Sequence, residues 1–321
     1  MAAPGYAGRR MVHLRIVSPP ELTGQVLDVL NRDSVINVIR LDGAAKRPDG
    51  DVILCDVARE DASVVIADLK ALHLDERGSI ALLPIDTAIS KAAEEAERRA
   101  PGLPSDAVVW EEVDQRTSES VELSGVFLLF FVLAALIAAV GIYLDSEILI
   151  VGAMVVGPEF GPIAGFCVAL VQRRRDLAVR SGIALAVGFP LAIAAAFVAT
   201  LIFKATDLTP EDFTAADHSI SNLISSPDAF TVIVALCAGA AGMLSLSTAK
   251  SGALIGVLIS VTTIPAAANI GVAAAYGDRD GWTGSLAQLG LNLVSIVVAG
   301  TFVLAVQRLL YARRRSARAE R

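Results

Sequence analysis

Histidine and cysteine are scarce, three of each in 321 residues, and their placement excludes most of the chemistry that depends on them. His13 and His73 stand alone in the first quarter of the chain and His218 lies in a polar loop, so no long apolar stretch contains a histidine. An intramembrane metalloprotease needs an HExxH-type pair, and none is present. Serines within the apolar segments therefore lack a histidine base; only a Ser–Lys arrangement using Lys250 is left, and the expectation is that the protein is not an enzyme. Cys55, Cys167 and Cys237 are far apart, which excludes a disulfide framework and CxxC metal spacing. Each reads as a small apolar packing residue. The N-terminal domain lacks a Gly-rich phosphate loop, a metal-ligand cluster and a nucleophile–base pair; no catalytic or metal residue is assigned, and any cofactor is unknown. Charged residues make up only 19% of the chain, with a net charge of −7, and no basic field supports nucleic-acid binding. The opening "MAAPGYAGRR" lacks the apolar run and cleavage site of a signal peptide. The first membrane helix is expected to act as its own targeting signal.

What is abundant is apolar sequence, 54% of the chain, concentrated after Leu123. The run 123–144, "LSGVFLLFFVLAALIAAVGIYL", is uncharged and long enough to cross a hydrocarbon layer of roughly 30 Å. Six spans are expected: 123–144, 147–171, 179–203, 230–246, 251–275 and 285–309. Basic residues orient them. "QRRRDLAVR" after the second span, Lys250 after the fourth and "QRLLYARRRSARAER" after the sixth belong on the cytoplasmic side. "LDSE", the acidic segment 204–228 and "YGDRDGW" fall outside. Both termini are then cytoplasmic, in a multi-pass protein of a plasma membrane.

Residues 1–10 read as a disordered N-terminus and 11–84 as a cytoplasmic domain. In the latter, β-rich runs and helix-period segments alternate as βαββαβ: "MVHLRIV", "PPELTGQVLDVLNR", "SVINVIRL", "GDVILCDV", "EDASVVIADLKAL" and "GSIALLPI". That order is the ferredoxin-like split βαβ arrangement, an α+β fold with both helices on one sheet face. "GAAKRPDG" supplies the expected hairpin turn. Residues 85–122 read as a charged helix and a connector, with Trp110 placed either against the soluble domain or at the membrane interface. Residues 123–309 form the transmembrane domain and 310–321 a basic cytoplasmic tail.

The second span holds the anomaly. "VGAMVVGPEFGPIAG" places Glu159 among Gly157, Pro158, Gly161 and Pro162, about 18 Å along the helix from Glu147 at the helical rise. An ionised carboxylate at that depth costs several kcal/mol unless it is hydrated, paired or protonated. The prolines remove two backbone donors, so the segment is expected to break, with its freed carbonyls facing protein or water. A second segment, "SVTTIPAAANIG", offers Thr262, Thr263, Pro265 and Asn269 at comparable depth. The two stretches begin alike, "GIYLDSEILIVGAMVVG" from Gly141 and "GMLSLSTAKSGALIGVLIS" from Gly242. Three spans per half would give the halves opposite orientation, a 3+3 inverted repeat with interrupted helices, the plan of many transporters. Asp145, Ser146 and Glu147 form an outer rim, and Ser245, Ser247, Lys250 and Ser251 mark the inner end of the fourth span.

The runs "VVWEEVDQRTSESVELS", "AALIAAVGIYLDSEILIVGAMVVGPEFGPIAGFCVALVQRR" and "AGMLSLSTAKSGALIGVLISVTTIPAAANIGVA" resemble the bacterial membrane proteins grouped as domain of unknown function 389, over most of residues 105–310. The resemblance implies a membrane core of the bacterial inner membrane, and hallmark positions that include Asp145, Gly152, Pro158, Glu159, Pro162, Ser247, Ser251, Thr263, Pro265 and Asn269. It implies no activity. From the residues, the expectation is a transporter or channel for a small ion or polar solute, with its path between two interrupted helices and regulation by the cytoplasmic domain. The alternative is a non-transporting membrane scaffold or sensor whose soluble domain binds a ligand or partner. The partners expected are the lipid bilayer, a small ion or polar solute, and further copies of the chain in a homo-oligomer.

Overall fold

A computed structural model describes residues 11–85, 90–99, 108–209, 212–247 and 263–319. The chain divides into two units, the first ending at Val113 and the second beginning at Asp114.

The N-terminal unit runs β1 (Met11–Ser18), α1 (Pro20–Leu30), β2 (Val35–Lys46), β3 (Asp49–Ala58), α2 (Arg59–Ala71), a single turn α3 (Leu74–Arg77) and β4 (Ser79–Ile85). The strands form one sheet in the order β2-β3-β1-β4, antiparallel throughout. Period-two alternation puts Leu14 and Ile16 of β1 and Ile53, Cys55 and Val57 of β3 into one core, with Val26 of α1 and Val65, Ile66 and Leu69 of α2. Each such side chain contributes about 1.5–3 kcal/mol on burial. Burial, with Asp56 adding to it, pushes the Cys55 thiol up to about 12, so Cys55 packs and does not react.

The hairpin differs from the expected turn over 43–50. β2 continues to Lys46 and β3 starts at Asp49, which leaves Arg47 and Pro48 as the tip. Pairing is irregular between Leu41 and Ala45, where Gly43 adopts a φ of 57°. The reason lies beneath it. The buried Asp51 carboxylate accepts from the Gly43 N–H at 2.8 Å, the Thr23 hydroxyl at 2.8 Å and Arg40 at 3.2 Å. These bonds, the Gly43 N–H first, hold Asp51 below the usual carboxylate range.

A charged helix follows as expected, α4 (Lys91–Arg99), but the connector contains a further helix, α5 (Trp110–Ser120). Its first turn is tied into the N-terminal unit. The Trp110 N–H donates to Ser63 Oγ at 3.0 Å, that hydroxyl donates to Glu111 at 2.9 Å, and the Arg59 guanidinium spans both oxygens of Glu112 at 3.2 and 2.7 Å. Of the two placements open for Trp110, its backbone takes the one against this domain.

The second unit is helical: α6 (Gly125–Tyr143), α7 (Glu147–Val156), α8 (Phe160–Gln172), α9 (Arg175–Ala205), a 3-10 turn (Ala215–Asp217), α10 (Ser219–Ser225), α11 (Ala229–Ser247), α12 (Thr263–Tyr276) and α13 (Arg279–Ala319). α6 opens on Ser124, whose hydroxyl accepts from the Phe127 N–H at 3.1 Å. Among the described residues four helices, α6, α9, α11 and α13, are long and apolar enough to cross a membrane. A fifth span results if α7 and α8, bent by 51° at their junction, are taken as one. Large apolar side chains such as Phe130, Phe230 and Phe302 are exposed along these helices, as a surface facing lipid requires. Cys237 is exposed with them, so the expectation of a packing role holds for the buried Cys55 and Cys167 and not for Cys237.

The expected span 251–275 is described only from residue 263, and 251–262 lie outside the described residues. The described part, α12, is the centre of the unit. Every residue from Thr263 to Ala273 is buried, and α12 packs on α6, α9 and α13. Small residues permit this. A Cβ added at Gly271 would lie 2.5 Å from the Ile193 carbonyl oxygen and 2.8 Å from the Phe197 nitrogen. Gly271→Ala is therefore expected to destabilise the unit by about 1–3 kcal/mol through overpacking, read as a lower melting temperature in detergent. Unchanged melting would show that α9 and α12 are not this close.

Candidate functional site

The break between α7 and α8 is local chemistry. Gly157 ends α7 with an N–H donated to Ala153 at 3.0 Å, Pro158 has no N–H to continue the ladder, and α8 restarts at Phe160. Pro158 and Pro162 return nothing to the carbonyls of Met154 and Pro158, the oxygens four residues earlier.

Glu159 sits in this break and is 3% exposed. Its Oε1 accepts a 2.7 Å hydrogen bond from the Thr263 hydroxyl of α12. Its Oε2 finds no hydrogen-bond partner among the described residues. Gly157 is required beside it, because a Cβ there would strike Glu159 Oε2 and come within 2.6 Å of Ile264 Cγ1. Two stretches singled out in the sequence thus meet through Glu159 and Thr263.

A cavity of about 570 Å³ adjoins the break. Its walls are Gly157, Pro158, Phe160 and Gly161 at the break, Phe127 and Phe130 of α6, and Ser245 of α11. Arg116, Glu119 and Glu122, from α5 and the turn after it, supply charge at its rim. Thr117, Ser120 and Val121, in the second unit, lie directly on α8. A Cβ at Gly161 would be 2.8 Å from Ser120 Cβ, and one at Gly165 would be 2.6 Å from Val121 Cγ1. Asp114 at the start of this segment pairs with Arg174 in the turn between α8 and α9, and the Arg308 guanidinium donates to the Val171 carbonyl. Arg174 and Arg308 therefore lie at the C-terminal end of α8, while the cavity adjoins its N-terminal end at the break. Asp176, in the first turn of α9, accepts from Arg174 at 3.2 Å.

The other candidates separate into different settings. Asn269 does not reach Glu159. It is buried in its own network, accepting from Ser221 Oγ at 2.7 Å and donating to Ser285 Oγ at 2.8 Å, while Ser285 donates to the Gly281 carbonyl at 2.8 Å. With its amide so occupied, Asn269 joins α12 to α10 and α13 and is not free to hold a solute. Asp145, at a φ of 46°, accepts the Ile220 N–H at 2.9 Å and the Ser219 N–H at 3.2 Å, so it caps α10. Ser146 closes the turn between α6 and α7, and Glu147 is exposed at the start of α7. Ser245 and Ser247 are buried, Pro265 lies in the first turn of α12, and Thr262, Lys250 and Ser251 lie outside the described residues.

Sequence reasoning missed two sets of residues here. Ser221 and Ser285 were hidden because serine at a helix end is common. Arg116, Glu119 and Glu122 had been assigned to a connector. The signal for α5 was present in the apolar positions Val109, Val113, Thr117 and Val121, spaced four residues apart and all buried.

Residues 154–298 match the family described as domain of unknown function (DUF389). The matched region spans the break, Thr263 and the Asn269 network. An uncharacterized protein of Methanocaldococcus jannaschii is similar, at 23% identity over 237 residues covering 74% of this chain and 70% of that protein. That relative is archaeal, so the likeness is not confined to bacteria. No solved structure matches the chain significantly.

Proposed function

We propose that the protein carries a small ion or polar solute across a membrane, along a path that passes the α7–α8 break. The observation that carries this reading is Glu159: a buried carboxyl in a broken apolar helix, one oxygen on Thr263 and the other without a partner among the described residues, beside a cavity with a charged rim. A group so costly to bury marks a solute path more often than a packing solution. The N-terminal unit, whose strand order β2-β3-β1-β4 supports a ferredoxin-like assignment, regulates the path. Arg174 and Arg308 at the C-terminal end of α8 support cytoplasmic termini. The contact between Glu159 of the first half and Thr263 of the second supports an inverted repeat, because such sites form where the halves meet.

Gly157→Ala tests the geometry. The added methyl displaces the Glu159 carboxyl and is expected to reduce solute flux in reconstituted vesicles about tenfold, corresponding to about 1.4 kcal/mol of misplacement. Full flux in a protein whose melting is unchanged would remove the break from the path.

A further inference from the structure

We infer that the Glu159 site binds one monovalent hard cation in exchange for a proton. This rests on the reading of Glu159 as a site on the solute path and specifies what the site holds.

The donor set is entirely oxygen. The Glu159 carboxyl and the Thr263 hydroxyl are in contact, and the carbonyls of Met154 and Pro158 belong to the same break and have lost their helical donors to Pro158 and Pro162. Carboxylate, hydroxyl and carbonyl oxygens suit hard cations, and carbonyls of unwound helices are a recurrent source of such ligands in membrane transporters. Neither sulfur nor imidazole joins the set to favour a softer metal.

Charge fixes the valence. No group of three or more His, Cys, Asp or Glu residues that could hold a metal ion occurs among the described residues, and Glu159 is the one buried carboxyl described at the break, Glu119 and Glu122 of the adjoining cavity being exposed. A single carboxylate balances a single positive charge, and a divalent ion would remain half-compensated in a medium where charge is costly. The same reasoning makes the exchange obligatory. An ionised Glu159 without a cation leaves Oε2 buried and charged with no partner among the described residues, so the site is neutral either with a proton on the carboxyl or with a cation on the carboxylate. On binding, the cation–oxygen contacts form, the O–H bond of the carboxyl breaks and the proton passes to solvent; the reverse restores the acid.

The surrounding groups do not replace this pair. The titratable side chains on α6, α7, α8 and α12 are Tyr143, Glu147, Cys167 and Tyr276. Tyr143 donates to Thr200 at 2.8 Å, Tyr276 to Thr209 at 3.0 Å and Cys167 to the Val297 carbonyl at 3.7 Å, while Glu147 is exposed at the far end of α7. From α5 and the turn after it, Arg116, Glu119 and Glu122 face the cavity from its rim.

The test is proton release from the purified full-length protein in detergent, in weakly buffered solution, on adding sodium, lithium or potassium chloride, with choline chloride and magnesium chloride as controls. Release of about one proton per chain is expected with at least one alkali cation and not with choline, the apparent affinity falling about tenfold per pH unit of acidification. Glu159→Gln is expected to cut the release more than tenfold, and Thr263→Val, which keeps the carboxyl, to weaken cation affinity without abolishing release. No release with any alkali cation, release stronger with magnesium, or undiminished release from a folded Glu159→Gln protein would overturn the inference. Vesicle flux is measured separately. Proton release without flux sinks the transport reading and leaves the cation site standing, whereas flux of another solute without proton release does the opposite.

Discussion

Glu159→Gln is expected to reduce solute flux in reconstituted vesicles about a hundredfold while leaving the protein folded. Glutamine has nearly the volume of glutamic acid and can still take the Thr263 hydrogen bond at Oε1, so packing at the break is conserved. What is lost is the negative charge, the group that offsets several kcal/mol of desolvation for a cation entering the membrane interior. Losing about 3 kcal/mol of that compensation corresponds to roughly two decades in rate or affinity. The flux that remains should no longer respond to pH in the way the native flux does. A folded Glu159→Gln protein with native flux and native pH response would mean that the carboxyl is a packing element.

The second large effect concerns stability. Glu112→Ala removes both acceptors of the Arg59 fork and leaves a guanidinium whose side chain is 7% exposed without its bidentate partner. Breaking such a pair by deleting one member costs about 3–5 kcal/mol. The loss should appear as hydrogen exchange of β1 and β3 amides accelerated by two decades or more in the full-length protein in micelles. Arg59→Met combined with Glu112→Leu should recover most of it, because the charge and its partner leave together and apolar volume remains. Exchange rates within threefold of native for Glu112→Ala would show that solvent already reaches the pair.

Legibility in the sequence followed the range of the interactions. The alternation of β1 and β3 and the apolar run of α6 come from local patterning, and each element lies within a few residues of its expected place. The α7–α8 break was legible for the same reason: Gly157, Pro158 and Pro162 act on their own backbone. The hairpin tip was less so, since the extension of β2 to Lys46 depends on Asp51, a buried carboxylate collecting donors from Thr23 and Gly43 that sequence spacing does not bring together.

At the site, the pairing of Glu159 with Thr263 spans 104 residues, and the sequence offered it only as an equality of depth. Asn269 looked the same in sequence as Thr263, yet lies about one and two-thirds turns further along α12 and bonds to Ser221 and Ser285. Which polar residue of α12 faces the break is set by rotation about the helix axis, and an all-buried helix shows no apolar stripe from which that rotation can be read. The packing of α5 against Gly161 and Gly165 was hidden because small residues mark close approach without naming what approaches.

The central claim is that a cation passes the broken helix, and flux through the unaltered protein tests it most directly. Purified full-length protein is reconstituted into vesicles that are acidic inside, and uptake of radioactive sodium, with lithium and potassium as competitors, is followed against protein-free vesicles. The account predicts uptake above the protein-free control, driven by the proton gradient and collapsing when the gradient is dissipated. Vesicles that stay as tight as the control to every alkali cation, with the protein shown to be folded and inserted, would contradict it.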